Sequence, residues 1–415
     1  MTKLRTISLY TGAGGLDFGF EAAGFDTAVA VEMDAHCVRT LRANRQWPVI
    51  NRDITSIPTS EILGCGGLNP EEADVLIGGP PCQPFSKSGY WAHGDARRLE
   101  DPRADTLAAY MRVLGEARPR SFLLENVEGL GFRGKDEGLR LIKNAIDQIN
   151  HKHGTAYSAS IAVLNAADFG VPQLRRRLFI VGSRDGCGFE FPRPSHVDPE
   201  AGGIDNRPRY RTAWEAIHDV GSSDPSLQPK GKWGPLLPSI PEGYNYLWHT
   251  DRGGGEPLFG WRRRYWSFLL KLAKNRPAWT LQAQPGPATG PFHWESRRLS
   301  MREMARLQTF PNDVAILGSN ADAQRQLGNA VPSLLAEVLA RSIIRQLLRG
   351  RLLGEEPSLS LPDAPPTPSS KPTLPVPAEF LGLRGQHEAH PGTGKGYRAA
   401  DRERATLAFV QKEAA

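Results

Sequence analysis

A chain of 415 residues of which 40% are hydrophobic can bury more than one core, so two or three domains are expected. The formal net charge of +6 favours an anionic partner, of which nucleic acid is the commonest, although charge alone does not select one. No run approaches the roughly 18 consecutive apolar residues of a membrane span, Met1–Arg5 leads straight into a predicted strand, and Cys37, Cys65, Cys82 and Cys187 form no CxxC pair, so a soluble cytoplasmic protein without a zinc site or disulfide framework is expected.

From residue 4 to about 190, short apolar runs alternate with amphipathic stretches. Leu4–Tyr10, Thr27–Val31, Ala73–Ile77, Ser121–Glu125 and Leu178–Gly182 are predicted strands, and Phe18–Ala23, Ala35–Asn44, Asp105–Ala117 and Gly138–Asn150 predicted helices. This βαβα order predicts an α/β fold with a doubly wound, mostly parallel sheet over residues 1–190. Past Phe191, Pro, Gly, Trp, Tyr and Arg become frequent, which predicts a second, smaller domain over 191–320 with a helix at Trp261–Lys274. Helical spacing returns at Ser300–Gln308 and at Ser333–Leu348, where Leu335, Val338, Leu339 and Ile343 share a face, so the segment 321–349 is expected to pack back on the first domain. Residues 350–415 are proline-rich and read as a disordered tail with a short helix at Arg402–Lys412.

The first strand ends in Tyr10-Thr11-Gly12-Ala13-Gly14-Gly15-Leu16, a turn that lets a ligand approach the backbone and presents free N–H groups at a helix start. An ordinary tight turn would read the same. Two later turns add to it: Glu32-Met33, whose acid stands about 20 positions on where ribose hydroxyls are held, and Asp53-Ile54, placed to bind an adenine amino group beside an apolar wall. Taken singly, Asp53 reads better as a helix N-cap. The run Val75-Leu76-Ile77-Gly78-Gly79-Pro80-Pro81-Cys82-Gln83 delivers a cysteine onto a rigid turn at the carboxyl edge of the sheet, where doubly wound folds keep their active sites, so Cys82 is a candidate nucleophile rather than a core filler. One strand further on, Glu125 and Asn126 end at the same edge. In Gln173-Leu174-Arg175-Arg176-Arg177 the period-two rule aims Arg175 and Arg177 the same way, towards a phosphate or a base carbonyl, unless the run is only a solvated edge.

As an ordered set, Tyr10–Leu16, Glu32-Met33, Asp53-Ile54, Pro80–Gln83, Glu125–Val127, Gln173–Arg177, Arg298–Pro311 and Gln326–Pro332 resemble the blocks of the DNA (cytosine-5)-methyltransferases of prokaryotic modification systems. That resemblance implies the S-adenosylmethionine-dependent methyltransferase fold, double-stranded DNA as substrate and S-adenosyl-L-methionine as cofactor. It implies that Cys82 adds to carbon 6 of a flipped-out cytosine, that Glu125 holds ring nitrogen 3 and the exocyclic amine, and that Asn126 positions the Pro81-Cys82 backbone. Arg177 would bind the cytosine carbonyl and Arg175 would favour the thiolate. Tyr10, Thr11, Gly12, Gly14, Gly15, Leu16, Glu32, Met33, Asp53, Ile54 and Pro81, with Asn329 and Val331 from the last block, would hold the cofactor. Ser86–Arg103 would be a mobile loop closing over the base, so Gln83, Ser86 and Arg97 are candidate DNA contacts.

Residues 191–297 are then left as the target-recognition region, where Arg262, Arg263 and Arg264, with Lys271, Lys274 and Arg276 nearby, suit phosphates, although a plain solvated helix would carry the same charges. No metal is implied. A monomer is expected, with a restriction endonuclease acting on the same site as a functional partner. The RNA-directed branch of the fold usually carries Cys-Phe-Thr after its prolines and has a small recognition region. Here Cys82-Gln83-Pro84 and a long region favour DNA, and the presence of Cys82, Glu125 and Gly12–Gly15 disfavours an inactive binding relative.

Overall fold

In the computed structural model, which describes residues 3–81, 104–131, 137–200, 205–221, 223–261 and 266–384, the apolar runs of the first half form a seven-stranded sheet. Its first five strands, Leu4–Leu9 (β1), Phe25–Val31 (β2), Val49–Ile50 (β3), Val75–Gly78 (β4) and Ser121–Val127 (β5), are mutually parallel. They stand in the order β3-β2-β1-β4-β5. Ser158–Asn165 (β6) lies at the far edge, and Arg176–Ser183 enters between it and β5 antiparallel to both. Gln173–Leu174 (β7) precedes that strand, which is β8. Reversal of the winding between β1 and β4 makes the crevice outside their carboxyl ends the place where such a sheet holds ligands.

Strands buried on both faces need apolar residues at every position, and the period-two alternation sends them to two separate cores. Leu76, Phe122 and Leu124 face Ala104–Ala117 (α4) and Glu137–His153 (α5). Val75, Ile77 and Leu123 face Gly15–Ala23 (α1) and a later helix, Ser333–Ile343. Ala35–Asn44 (α2) and Thr59–Cys65 (α3) complete the winding, and Asp34 caps α2 by accepting the His36 and Cys37 N–H groups. β6 has no counterpart among the predicted strands because it is an edge strand of alternating small and exposed residues, with Ile161 and Val163 facing outwards.

The second half is built differently. Ala213–Ile217 (α6), the two-residue strand Ala278–Trp279 (β9, beside β7), Met301–Leu307 (α7) and Asn320–Asn329 (α8) are its α-helices and strand before Ser333–Ile343 (α9) among the described residues, and α9 ends in a π-helical turn, Ile344–Leu348. The helix expected over Trp261–Lys274 does not form within the described residues 266–274, which carry turns and single bridges. Leu269 is left-handed at φ 53°, which no helix accommodates, and Lys271 and Lys274 point inwards. Together the run Asn320–Leu348 is long and apolar enough to cross a bilayer, but 78% of its apolar window is buried in this fold. The α1–α9 contact is close because Gly19 has no side chain: a β-carbon there would stand 2.4 Å from that of Ala336.

Disorder was expected throughout 350–415, and the described part, residues 350–384, departs from that expectation. It runs as an extended strap over the surface to a short helix, Ala378–Leu381 (α10), whose Phe380 is buried among aromatic residues. The prolines that forbid regular structure also lower the entropy lost on fixing an extended chain.

Candidate active site

Beyond β4 the chain passes through Gly78 and Gly79 to Pro80 and Pro81. A β-carbon on Gly79 would lie 2.8 Å from Glu125 Oε2, so the glycine is what admits that carboxylate beneath the turn. Glu125, two residues before the end of β5, is buried, and Arg177 Nε stands 2.9 Å from its Oε1. The pairing follows from register: Arg177 lies opposite Val127, which puts it diagonally across from Glu125 on the same face. Burial pushes the Glu125 carboxyl above its ordinary range, and the Arg177 and Arg175 charges oppose that rise without cancelling it. Asn126 Nδ2 donates to the Pro80 carbonyl at 3.2 Å, while the Asn126 Oδ1 accepts the Val127 N–H at 2.8 Å, which fixes the amide's orientation.

Arg175 and Arg177 both bear electrostatically on Glu125 but differ in what they hold. The Arg175 guanidinium is fully buried and donates to the carbonyls of Leu281 and Gly328 at 3.3 and 2.8 Å, tying the sheet edge to the second half of the chain. Burial pushes its pKa down, as does the neighbouring Arg177 charge.

On the other side of the crevice, Tyr10, Gly12 and Gly14 are all left-handed (φ 55°, 57° and 88°), and the turn they make is closed by the Gly14 N–H donating to the Thr11 carbonyl. Thr11 is buried, with its hydroxyl 3.0 Å from that of Ser8. Glu32 spans this loop and the next, its two oxygens accepting the Gly12 and Asp34 N–H groups at 2.7 Å each. Met33 beside it is 67% exposed, an apolar side chain standing in the open, and the space next to Gly12 is free of other atoms out to 4.0 Å. Gly15 is needed for packing: a β-carbon there would meet the Val331 carbonyl at 2.3 Å. Leu16 and Val331 are buried behind the loop, and Asn329 is exposed at the end of α8. An open glycine backbone, a carboxylate and an exposed thioether side chain fit a nucleoside cofactor.

The turn after β3 holds the other two residues expected beside the cofactor base. Ile54 is only 3% exposed and packs in the core, so Met33 rather than Ile54 is the open apolar surface. Asp53 caps the turn Ile54–Ser56, its Oδ1 accepting the Thr55 N–H at 3.0 Å. Three further residues shape the crevice. Asn51 Nδ2 donates to the Glu32 and Met33 carbonyls at 3.0 Å, and Arg112 of α4 reaches the carbonyls of Ile54 and Ile57 and the Thr59 hydroxyl. The third is Thr106: its carbonyl accepts the Tyr10 hydroxyl at 2.5 Å, and its own hydroxyl stands 3.4 Å from the Pro81 carbonyl. The Tyr10 ring is thus tied to the turn that precedes Cys82, and burial raises its pKa.

Cys82, Gln83, Ser86, Arg97, Arg262, Arg263 and Arg264 lie outside the described residues. Lys271 and Lys274, expected near DNA, are buried instead. Lys271 donates to the Ile240 carbonyl and the Ser296 hydroxyl, and burial pushes its pKa down to about 8. Lys274 pairs with Glu242 at 2.5 Å. Arg276 remains at the surface, paired with Glu200.

With this geometry, the family model for C-5 cytosine-specific DNA methylases matches residues 4–345. The chain belongs to that family. It is 40% identical over 375 residues to the type II methyltransferase M.SacI of Streptomyces achromogenes, covering 83% of this chain and 94% of the relative. It is 32% identical over 353 residues to M1.HphI of Haemophilus parahaemolyticus, covering 83% and 87%. In fold it resembles the methyltransferase EhMeth of Entamoeba histolytica (TM-score 0.56, 14% identity, 84% of this chain and 99% of that one) and the Dnmt2 methyltransferase of S. pombe (TM-score 0.55, 15% identity, 83% and 99%). This DNA cytosine-5 methylase uses S-adenosylmethionine, and its relatives are type II modification enzymes.

Proposed function

We propose that this enzyme methylates carbon 5 of a cytosine flipped out of a specific duplex sequence, through a covalent bond between Cys82 and carbon 6. The observation that carries this reading is Glu125, buried beneath Gly79 beside Arg177 with its pKa raised. Carbon 5 is a poor nucleophile in the aromatic ring. Addition of the Cys82 thiolate at carbon 6 pushes electrons towards carbon 5 and nitrogen 3, and a Glu125 carboxyl that holds its proton can donate it to nitrogen 3. Arg177 binds the cytosine carbonyl, Arg175 favours the thiolate by its charge, and Asn126 holds the Pro80-Pro81 backbone that carries Cys82.

S-adenosylmethionine supplies the electrophilic methyl group when bound. Gly12, Gly14, Gly15, Thr11 and Leu16 cradle it by backbone; Glu32 holds its ribose; Met33, Tyr10 and Asp53 face its base; and Pro81, Asn329 and Val331 close the site. After transfer a base removes the carbon 5 proton and Cys82 leaves as thiolate. A stacked cytosine cannot reach this crevice, so the base must leave the helix. Gln83, Ser86 and Arg97 contact the DNA around the vacated position, and Arg262, Arg263 and Arg264 within the recognition domain, 191–320, contact its backbone and grooves. The enzyme acts as a monomer in the cytoplasm, on the nucleoid of a prokaryote, and protects sites cut by a cognate restriction endonuclease.

Purified protein incubated with tritiated S-adenosylmethionine and mixed-sequence duplex DNA, beside a Cys82→Ser variant, tests the reading. Site-confined 5-methylcytosine from the wild type alone, mapped by bisulfite-type sequencing, is expected and reveals the recognition sequence. Transfer to RNA or undiminished transfer by Cys82→Ser would sink it.

A further inference from the structure

Helix α9 carries two charged residues, Glu337 and Arg341, one helical turn apart and both buried. Their partners explain them. Glu337 accepts the Ser358 and Leu359 N–H groups at 2.6 and 2.9 Å, and Arg341 donates to the carbonyls of residues 353, 354 and 355. Two buried charges thus grip the backbone of the strap where it leaves the catalytic half. Further along, the Trp214 indole N–H of α6 donates to the Pro365 carbonyl, and the Leu374 N–H to that of Pro238. The strap ends with Phe380 stacked on Trp233, their centroids 5.8 Å apart.

That aromatic core consists of residues 233–292 together with Val376, Phe380 and Leu383 of the strap, and none of its described members comes from the sheet domain. Within the same span, residues 278–281 are tied to the sheet side by β7–β9 pairing and by Arg175, and the strap adds a separate tie to the distal aromatic core. The strap also lies beyond residue 345, where the family match stops.

We propose that residues 351–384 are a clasp that sets the recognition region against the catalytic crevice, with Glu337, Arg341 and Phe380 as its positioning residues. The functional part rests on the reading of 191–320 as the region that reads DNA. A clasp of this kind limits the angles that the distal core explores, so its loss weakens binding of the correct duplex and blurs discrimination while the chemistry of a bound cytosine persists.

The test uses the full chain with Phe380→Ala, with Phe380→Leu as the conservative variant. Expected for Phe380→Ala is a KM for duplex DNA raised about tenfold, reduced discrimination against a site altered by one base pair, and kcat and S-adenosylmethionine affinity within about twofold of wild type. Phe380→Leu should restore most of the difference. Unchanged KM and discrimination in a folded Phe380→Ala protein, with only the melting temperature lowered, would overturn the proposal.

Should Phe380→Ala fail to fold, a protease site inserted between Pro366 and Thr367 and cut after folding gives the same readout. Hydrogen exchange across 233–261 and 266–292 reads the clasp without reference to activity. Faster exchange on cutting is expected, and unchanged exchange overturns the clasp even if the wild type methylates no DNA. A wild type that methylates nothing but shows faster exchange refutes the functional reading alone.

Discussion

The carboxyl edge of the sheet and the region 191–320 solve the placing of side chains in opposite ways. At the edge, parallel strands and glycine or proline turns fix the backbone, Glu32 and Asn126 brace those turns through backbone hydrogen bonds, and Glu125 faces Arg177 rather than the backbone. Among the described residues of 191–320 there is little regular structure, and the side chains themselves are the scaffold: Trp233, Phe259, Phe268 and Tyr246 pack on one another, and Lys274 pairs with Glu242 inside. The difference says which substitutions cost activity and which cost the fold.

At the edge, removing a functional group should leave the scaffold standing. Glu125→Gln keeps shape and volume but loses the proton, and kcat should fall about a thousandfold, the usual scale for a positioned acid, with the melting temperature close to wild type. Steady-state methylation and thermal unfolding on the same preparation check this. A large fall in melting temperature with modest loss of activity would show that Glu125 is part of the scaffold after all.

Lys274→Met should do the reverse. Removing one partner of a buried pair strands Glu242 and costs about 3–5 kcal/mol, read by urea unfolding. Adding Glu242→Gln should recover part of the loss. If Lys274 were a phosphate contact, stability would stand and the salt dependence of DNA binding would flatten instead.

The same contrast explains what could be read from the sequence. Turns such as Gly12–Gly15 and Pro80-Pro81 carry their geometry in local residue types, so the sheet and its edge were visible as a pattern. Asn51, Arg112 and the Glu337–Arg341 grip were not, because each binds backbone atoms of another segment, and no residue type records a carbonyl as a partner. The stretch 266–274 was misread because Leu269, Leu270 and Leu272 are spaced acceptably for a helix face but serve an irregular core. The strap was misread because proline content speaks against regular structure, not against a fixed path.

A buried acid in the catalytic half tests the contrast from inside. Asp17, in the first turn of α1, is wholly buried, and burial pushes its pKa from 3.8 up to about 7 against the opposing pull of the nearby Ser8 and Thr27 hydroxyls. An acid whose folded-state pKa lies above its unfolded value contributes stability that is fully present below about pH 4 and is lost as pH rises towards 7. Asp17→Asn should therefore match the wild type near pH 4 and exceed it by a few kcal/mol near pH 8. Parallel melting curves across that range decide it. A constant gap between the two proteins would mean that Asp17 does not titrate in the folded state.

The smallest effect sits where the two loops of the crevice touch. Tyr10→Phe keeps the ring and removes only the hydroxyl held by the Thr106 carbonyl. A net hydrogen bond of about 1 kcal/mol corresponds to roughly a fivefold change. If the bond mainly holds the ring for the cofactor, that change falls on S-adenosylmethionine affinity, measured by calorimetry. If it mainly ties the cofactor loop to the Pro81 turn, affinity stays and kcat falls by the same factor, because Thr106 then loses its hold on the backbone that presents Cys82. No change in either would mean that the carbonyl exchanges tyrosine for water without loss, and that α4 alone positions the turn.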